Sequence, residues 1–187
     1  VQVKLPSEQC NGTCVCEKQQ RNGILQGLPP DFSARDIMVV GDVDEILRPR
    51  TLVYLARCAV ATPIVFHLRM HYYNLAVLDL NSWTSLKAIS GYDLQQAGGA
   101  LNADGIRHGS SFRTAVLDAG WHLSYFGGRK QVSRKLRSIC DLGLAHQVHM
   151  VDIAERLYVA AVASGKDMFD RNHSQHDFNL IEDLECL

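Results

Sequence analysis

The chain has 187 residues, of which 47% are hydrophobic and 21% are charged, with 19 basic and 20 acidic side chains. A chain of this length and apolar content can bury a substantial core, so the composition excludes a disordered protein. The formal charge of -1 excludes the basic surface of a nucleic-acid binder. No apolar run reaches the ~20 residues that span a bilayer, so we expect neither a nucleic-acid partner nor a membrane segment in this chain.

The N-terminal residues differ in character from the rest of the chain. Residues 1–16 are polar and without periodicity, and we predict an irregular segment there, followed by one domain over residues 17–187. Three cysteines cluster in this segment: Cys10, Cys14 and Cys16. Their spacing lacks the paired CxxC of a zinc ribbon, which favours a disulfide in an oxidising compartment. Glycosylation sequons at Asn11 and Asn172 favour the same compartment, and chance occurrence in a cytosolic protein is the alternative.

Hydrophobic periodicity predicts alternating helices and strands in the domain. In chain order, the predictions are a helix over 17–28, a strand over 36–41, a helix beginning at Pro49, a strand over 64–73, short strands joined by loops over 79–120, a helix over 129–140, and a helix from Asp152 to Ser164. The second of these strands alternates, and its polar face comprises His67, Arg69, His71 and Tyr73. This order of elements predicts an α/β fold.

An acidic cluster follows the strand over 36–41, which we predict to be buried on both faces. Asp42 and Asp44 are two residues apart, so in an extended chain they point to the same side. Two neighbouring carboxylates repel each other unless a cation compensates them, and oxygen ligands favour Mg²⁺ or Mn²⁺. In open α/β sheets ligands bind beyond the carboxyl ends of the strands, where this cluster is expected. The pattern predicts a metal site that neutralises a diphosphate.

Four stretches, in the same order along the chain, resemble glycosyltransferase family 17, the β-1,4-mannosyl-glycoprotein N-acetylglucosaminyltransferase family. They are the acidic segment 42–49 (DVDEILRP), the strand end 72–75 (YYNL), the segment 120–128 (GWHLSYFGG) with the helix that contains residues 135–138 (KLRS), and the segment 165–171 (GKDMFDR). The resemblance covers roughly residues 17–171.

This resemblance implies a GT-A-like nucleotide-sugar transferase fold. It implies metal-dependent, inverting transfer of N-acetylglucosamine from UDP-GlcNAc to a mannose hydroxyl of an N-glycan, with Mn²⁺ or Mg²⁺ as cofactor. Only about forty residues precede the acidic cluster, so we expect part of the N-terminal donor-binding region to be lacking. The first residue is Val1, so we expect a processed form or a fragment. In a eukaryotic host, the resemblance implies the Golgi lumen.

The resemblance also suggests roles for individual residues. Asp42 and Asp44 would hold the metal, and the general base would come from Glu45 or His122. Glu45 is alternatively fixed by Arg48 or Arg50, and His122 is alternatively a metal ligand, a phosphate contact or a buried donor. Three further residues are candidates for the nucleotide sugar: Arg134 and Lys135 as charges beside the diphosphate, and Trp121 as a stacking platform. A solvated helix face and a core aromatic are the alternatives for these three.

Several smaller groups have competing interpretations. Tyr73 and Asn74 either line the acceptor cleft or finish a strand, and Tyr125 either stacks on a sugar ring or belongs to the core. Asp167 and Arg171 have the spacing of an internal ion pair, and a tail containing His173, His176 and Asp177 is best explained as solvated polar residues. Two other classes of protein are weighed against the transferase. One is an inactive glycan-binding relative with an incomplete donor site. The other is a metal-dependent phosphoryl or nucleotidyl hydrolase, which is supported only by Asp42 and Asp44.

Overall fold

The computed structural model describes residues 15–138, 148–166, 168 and 178–180. Within these residues the chain combines helices with a seven-stranded sheet, so the predicted α/β class is confirmed. The helices are α1 (Val15–Asn22), α2 (Pro49–Arg57), α3 (Gly91–Gln96), α4 (Ala103–His108), α5 (Arg129–Ser138) and α6 (Val148–Ser164). The strands are β1 (Ile37–Val40), β2 (Glu45–Leu47), β3 (Ile64–Tyr72), β4 (Val77–Trp83), β5 (Lys87–Ser90), β6 (Thr114–Ser124) and β7 (Phe178–Leu180).

The sheet is mixed, with strand order β1-β5-β3-β4-β7, and β6 pairs with both β2 and β3. Strand β5 runs antiparallel to β1 and to β3, with Val40 and Val65 both opposite Lys87. Strands β3 and β6 run parallel, because Thr114 N donates to Pro63 O at one end and Tyr73 N donates to Ser124 O at the other. No helix in the described part of the chain is long and apolar enough to cross a membrane.

The chain forms two compact units, to which β3 and β6 both contribute. Unit 1 comprises residues 1–68 and 84–120, and unit 2 comprises residues 69–83 and 121–187. The core of unit 1 packs the inner side of β1 and β5 against α4, through Met38, Val40, Ile89, Ala103 and Ile106. The core of unit 2 includes Met70, Tyr72, Tyr73, Val77, Tyr125, Val132, Ala154, Ala161 and Met168.

The predicted element positions agree in part with the structure. Helix α2 begins at Pro49 and α5 at Arg129, as predicted, and α6 ends at Ser164 before Gly165, whose φ of 64° is typical of a C-terminal glycine. Helix α6 begins at Val148, so Asp152 lies inside it rather than at its cap. The predicted first helix is α1 followed by a 3₁₀ turn over Gly23–Gly27.

One prediction of burial was wrong. Strand β1 is not buried on both faces, since Val39 is 36% exposed between two buried neighbours; β1 ends the sheet, and only its inner face is packed. The predicted polar face of β3 is mixed: Arg69 is exposed and His67 half-buried, whereas His71 and Tyr73 are buried. His71 Nδ1 lies 3.0 Å from Leu75 O, and burial lowers the pKa of its imidazole, so the ring is held neutral.

The region over 79–120, predicted as short strands and loops, contains two short helices as well as its strands. Each has a side-chain N-cap: Ser90 Oγ accepts from Asp93 N for α3, and Asn102 Oδ1 accepts from Gly105 N at 2.8 Å for α4. Periodicity over six residues is too short to reveal such helices, but the cap residues are a usable signal.

The cap of α4 leads to a stability prediction. Asn102→Ala leaves Gly105 N without its side-chain acceptor, and we expect a loss of about 1 kcal/mol in the free energy of unfolding. Chemical denaturation measures it, with Ser110→Ala, a change at an exposed position just beyond the helix, as the control. Equal stability of the two variants would contradict a capping role for Asn102.

Candidate active site

The acidic cluster forms a tight turn between β1 and β2 in unit 1. Glu45 N donates to Asp42 O at 3.0 Å, and the chain turns at Val43 and Asp44. We predicted that Asp42 and Asp44 share one side of an extended strand. In the structure they lie on a turn instead. The Asp42 side chain is 45% exposed, so its carboxylate is accessible to a ligand.

Glu45 is the buried member of the cluster. Its side chain is fully buried, and its two oxygens accept from the two terminal nitrogens of Arg107, each at 2.7 Å. Glu45 Oε2 also accepts from Asp42 N at 2.9 Å. Because Arg107 binds both oxygens of this buried carboxylate, the geometry favours an organising role for Glu45 over the predicted role as general base.

Arg107 lies on α4 and connects the buried and exposed carboxylates. Its side chain is 3% exposed, and Nη2 donates to Asp42 Oδ2 at 2.7 Å in addition to Glu45. Lys87 is buried on the adjacent strand, where burial and the charge of Arg107 lower the pKa of its ammonium. This corner of unit 1 is therefore an electrostatic network in which Arg107 and Glu45 are buried and Asp42 is exposed to solvent.

Helix α1 extends the same network. Arg21 Nη1 donates to Asp104 Oδ1 at 2.7 Å, Nη2 donates to Glu17 Oε1 at 2.6 Å, and Nη2 lies 3.5 Å from Asp42 Oδ1. Burial alone would lower the pKa of Arg21, but the hydrogen bonds to Asp104 and Glu17 outweigh it and raise the pKa. These ion pairs join two arginines to four carboxylates, so the network retains negative charge.

Gly41 lies directly against the buried side chain of Glu45. A Cβ built on Gly41 would lie 2.8 Å from Glu45 Oε2 and 2.1 Å from Leu86 Cδ1. Both are side-chain atoms, so a larger residue at position 41 would displace Leu86 and the Glu45 carboxylate from these positions.

The alternative partners considered for Glu45 bind elsewhere. Arg48 donates to Asp118 Oδ1 at 2.9 Å, and Arg50 donates to Asp118 Oδ2 at 2.5 Å. Asp118 has a φ of 48° within β6. Arg48 and Arg50, on either side of Pro49, both bind its carboxylate. The structure therefore shows Arg107 bound to Glu45, and Arg48 and Arg50 bound to Asp118.

The other predicted site residues lie in unit 2. His122 is 6% exposed, and its ring centroid lies 4.4 Å from that of Trp83. Trp121 precedes it in β6 and is half-buried. His122 is thus packed against the ring of Trp83 in unit 2.

Tyr125 is a core residue in the structure. It is 7% exposed and its ring lies 6.1 Å from that of Tyr72, so the sugar-stacking alternative is not supported for it. Lys135 Nζ lies 4.8 Å from the centroid of the Tyr125 ring, so the ammonium group makes a cation–π contact with that ring. Arg134, one residue earlier on α5, is exposed.

Tyr73 also belongs to the interior of unit 2. Its hydroxyl donates to Lys166 O at 3.3 Å and accepts from Met168 N at 2.9 Å. The Tyr73 backbone has a φ of 65°, and Asn74 Oδ1 accepts from Ala76 N at 2.8 Å in the turn that follows. Both residues complete the end of β3 and the turn after it, rather than lining a cleft.

The donor set suits a cation of the Mg²⁺ class. Within the described residues no group of three or more His, Cys, Asp or Glu side chains could hold a metal on its own. Mg²⁺, however, is commonly bound by one or two carboxylates, with water and substrate phosphates completing the shell. The exposed carboxylate of Asp42 and the neighbouring Asp44 fit that arrangement.

Several predictions lie outside the described residues. These concern Cys10, Cys14, the sequons at Asn11 and Asn172, the pair Asp167 and Arg171, and the tail with His173, His176 and Asp177. Within the described residues Cys58 is a free and exposed cysteine.

The two arginines of the network, Arg21 and Arg107, were not predicted from the sequence. Both lie far from the acidic turn along the chain, and only the fold brings them to it. The available signal was indirect, since an acidic cluster after a strand needs positive charge nearby whether or not a metal binds.

The structure defines an α/β protein with an accessible aspartate on an organised acidic turn after its first strand. The family model of Glycosyltransferase family 17 matches residues 4–185, nearly the whole chain. The chain therefore belongs to glycosyltransferase family 17, and membership supports glycosyl transfer as its class of reaction, with a sugar donor and an acceptor as partners. No curated protein and no solved structure matches the chain.

Proposed function

We propose that the protein transfers N-acetylglucosamine from UDP-GlcNAc to a mannose hydroxyl of an N-glycan, with inversion, β-1,4 linkage and a divalent cation, Mn²⁺ or Mg²⁺. The observation that carries the proposal is the accessible carboxylate of Asp42, held on the acidic turn of a family 17 chain. We further propose a GT-A-like arrangement and, in a eukaryotic host, action in the Golgi lumen.

Asp42 and Asp44 are the residues that would hold the cation. A cation there would offset the charge of the UDP diphosphate, which makes UDP a better leaving group. The chain's own contribution is to orient the Asp42 carboxylate through Arg107 before the donor arrives.

Inversion also requires a group that accepts the proton of the acceptor hydroxyl. Glu45 is enclosed by Arg107, and His122 is packed against Trp83, so neither is presented to an acceptor in this structure. Trp121, Arg134 and Lys135 remain candidates for the donor. Of the two charged candidates, Arg134 is exposed and Lys135 is half-buried.

The glycan-binding alternative has one observation in its favour. Arg107 already neutralises Asp42 in part, which is also what a purely structural acidic turn would need. Donor binding separates the two functions, since an inactive relative with an incomplete donor site binds glycan without UDP-GlcNAc.

The test is calorimetric titration of UDP-GlcNAc into the protein with and without Mn²⁺, for the wild type, Asp42→Ala/Asp44→Ala and the isosteric Asp42→Asn/Asp44→Asn. We expect binding that requires Mn²⁺ and is weakened by about 100-fold or more in both variants, because several kcal/mol of cation–phosphate attraction are lost. Asp31→Ala, which removes an exposed aspartate elsewhere in unit 1, is the matched control and should bind like the wild type.

Two results would count against the proposal. Absence of donor binding by folded wild-type protein would favour the glycan-binding relative. Metal-dependent binding that survives in both double variants would move the cation away from Asp42 and Asp44.

A further inference from the structure

We propose that Arg107 is a positioning residue that orients Asp42 for the cation, and that Glu45 acts as the buried counter-ion of Arg107 rather than as the general base. This inference rests on the proposed function, since it assigns roles around the same acidic turn. It concerns two residues of this chain whose side chains meet only in the folded structure.

The guanidinium of Arg107 is divided between two carboxylates. Its two terminal nitrogens bind the two oxygens of Glu45 side by side, which is the planar geometry that fixes an arginine most firmly. The second donor of Nη2 is directed to Asp42 Oδ2 at 2.7 Å. Because Glu45 fixes the guanidinium plane, Arg107 fixes the direction of the Asp42 carboxylate.

The charges explain why Glu45 is needed. A lone arginine 2.7 Å from Asp42 would cancel the negative charge that attracts a cation. Glu45 carries the compensating charge in a side chain that is fully buried. The Arg107–Glu45 pair is then neutral as a unit, and Arg21, 3.5 Å from Asp42, is itself paired with Glu17 and Asp104, so the negative charge of Asp42 stays available to a metal.

Exposure separates the roles of the two acids. The Asp42 side chain is 45% exposed and that of Glu45 is 0% exposed, although they bind the same arginine. The ligand-facing carboxylate is therefore Asp42, and Glu45 lies behind it. A general base must approach the acceptor hydroxyl to hydrogen-bond distance, which the buried position of Glu45 denies.

The experiment measures Mn²⁺ binding directly, by the electron paramagnetic resonance signal of free Mn²⁺, with and without UDP. The variants are Arg107→Lys, which keeps the charge but loses the two-nitrogen geometry, and Glu45→Gln, which keeps the shape but loses the counter-ion. We expect Mn²⁺ affinity to fall by about 10- to 100-fold in each, the usual effect of removing a group that orients a metal ligand.

The matched control is Arg48→Lys, the same substitution at another arginine of unit 1 that holds a carboxylate, that of Asp118. A merely structural role of Arg107 would leave Mn²⁺ affinity at the wild-type value in both variants, as in the control, and would overturn the inference. Glu45→Gln with unchanged Mn²⁺ affinity would likewise overturn the counter-ion role and return Glu45 to the candidates for the base. Thermal unfolding of each variant verifies that the protein measured is folded.

The two proposals fail in different ways. A wild-type protein that binds no Mn²⁺, with or without UDP, would overturn the proposed function and this inference together. A wild type that binds Mn²⁺ with UDP, together with variants that bind it equally well, would overturn only the inference.

Discussion

Arg107→Met is expected to lower the free energy of unfolding by about 3–5 kcal/mol, the usual result of breaking a buried ion pair by removing one partner. The substitution leaves the Glu45 carboxylate, whose side chain is 0% exposed, without the two donors that compensate its charge. It also removes the link between α4 and the acidic turn. Denaturant unfolding followed by circular dichroism measures the loss.

The double variant Arg107→Met/Glu45→Gln tests the cause of that loss. A neutral glutamine keeps an acceptor for Asp42 N and no longer needs the arginine, so we expect the double variant to regain much of the stability. Arg48→Met is the comparison, because its partner Asp118 is 36% exposed and water can replace the lost donor. A double variant no more stable than Arg107→Met would show that packing, not the charge of Glu45, determines the effect.

Much of the fold can be predicted from the sequence, because the signals that begin and end helices and strands lie in neighbouring residues. Pro49 begins α2, Gly165 follows the end of α6, and the alternation of Phe66, Leu68 and Met70 marks β3. The acidic turn was also predictable, since its residues are adjacent along the chain.

What the sequence does not reveal depends on contacts between distant segments. Arg107 is separated from Glu45 by 62 positions, and it lies on a helix too short to show a periodicity. The sequence places His71 and Tyr73 on a polar face, but both are buried within unit 2, and alternation of residue types does not predict this burial. The buried state of Glu45 follows from the same contacts, and it is what changes its interpretation from base to counter-ion.

Gly120→Ala is the second substitution for which we expect a large effect. Gly120 begins the Gly-Trp-His segment of β6, and a Cβ built on it would lie 2.0 Å from Ile46 O and 2.9 Å from Leu47 Cα. These are backbone atoms of β2, so no side chain can move aside, and the two strands must separate. We expect a loss of about 3 kcal/mol or more in the free energy of unfolding.

Gly98→Ala is the control that separates this overlap from ordinary glycine effects. Gly98 has a φ of 55° with nothing within 4 Å of a Cβ, so alanine there costs only backbone strain, about 1 kcal/mol. Equal losses in the two variants would contradict a steric role for Gly120. A much larger loss at Gly120 would mean that two segments of the family resemblance, Asp-Val-Asp-Glu-Ile and Gly-Trp-His, are tied by one backbone contact between Ile46 and Gly120. The glycine would then be required because it holds β2, and with it the acidic turn, against β6.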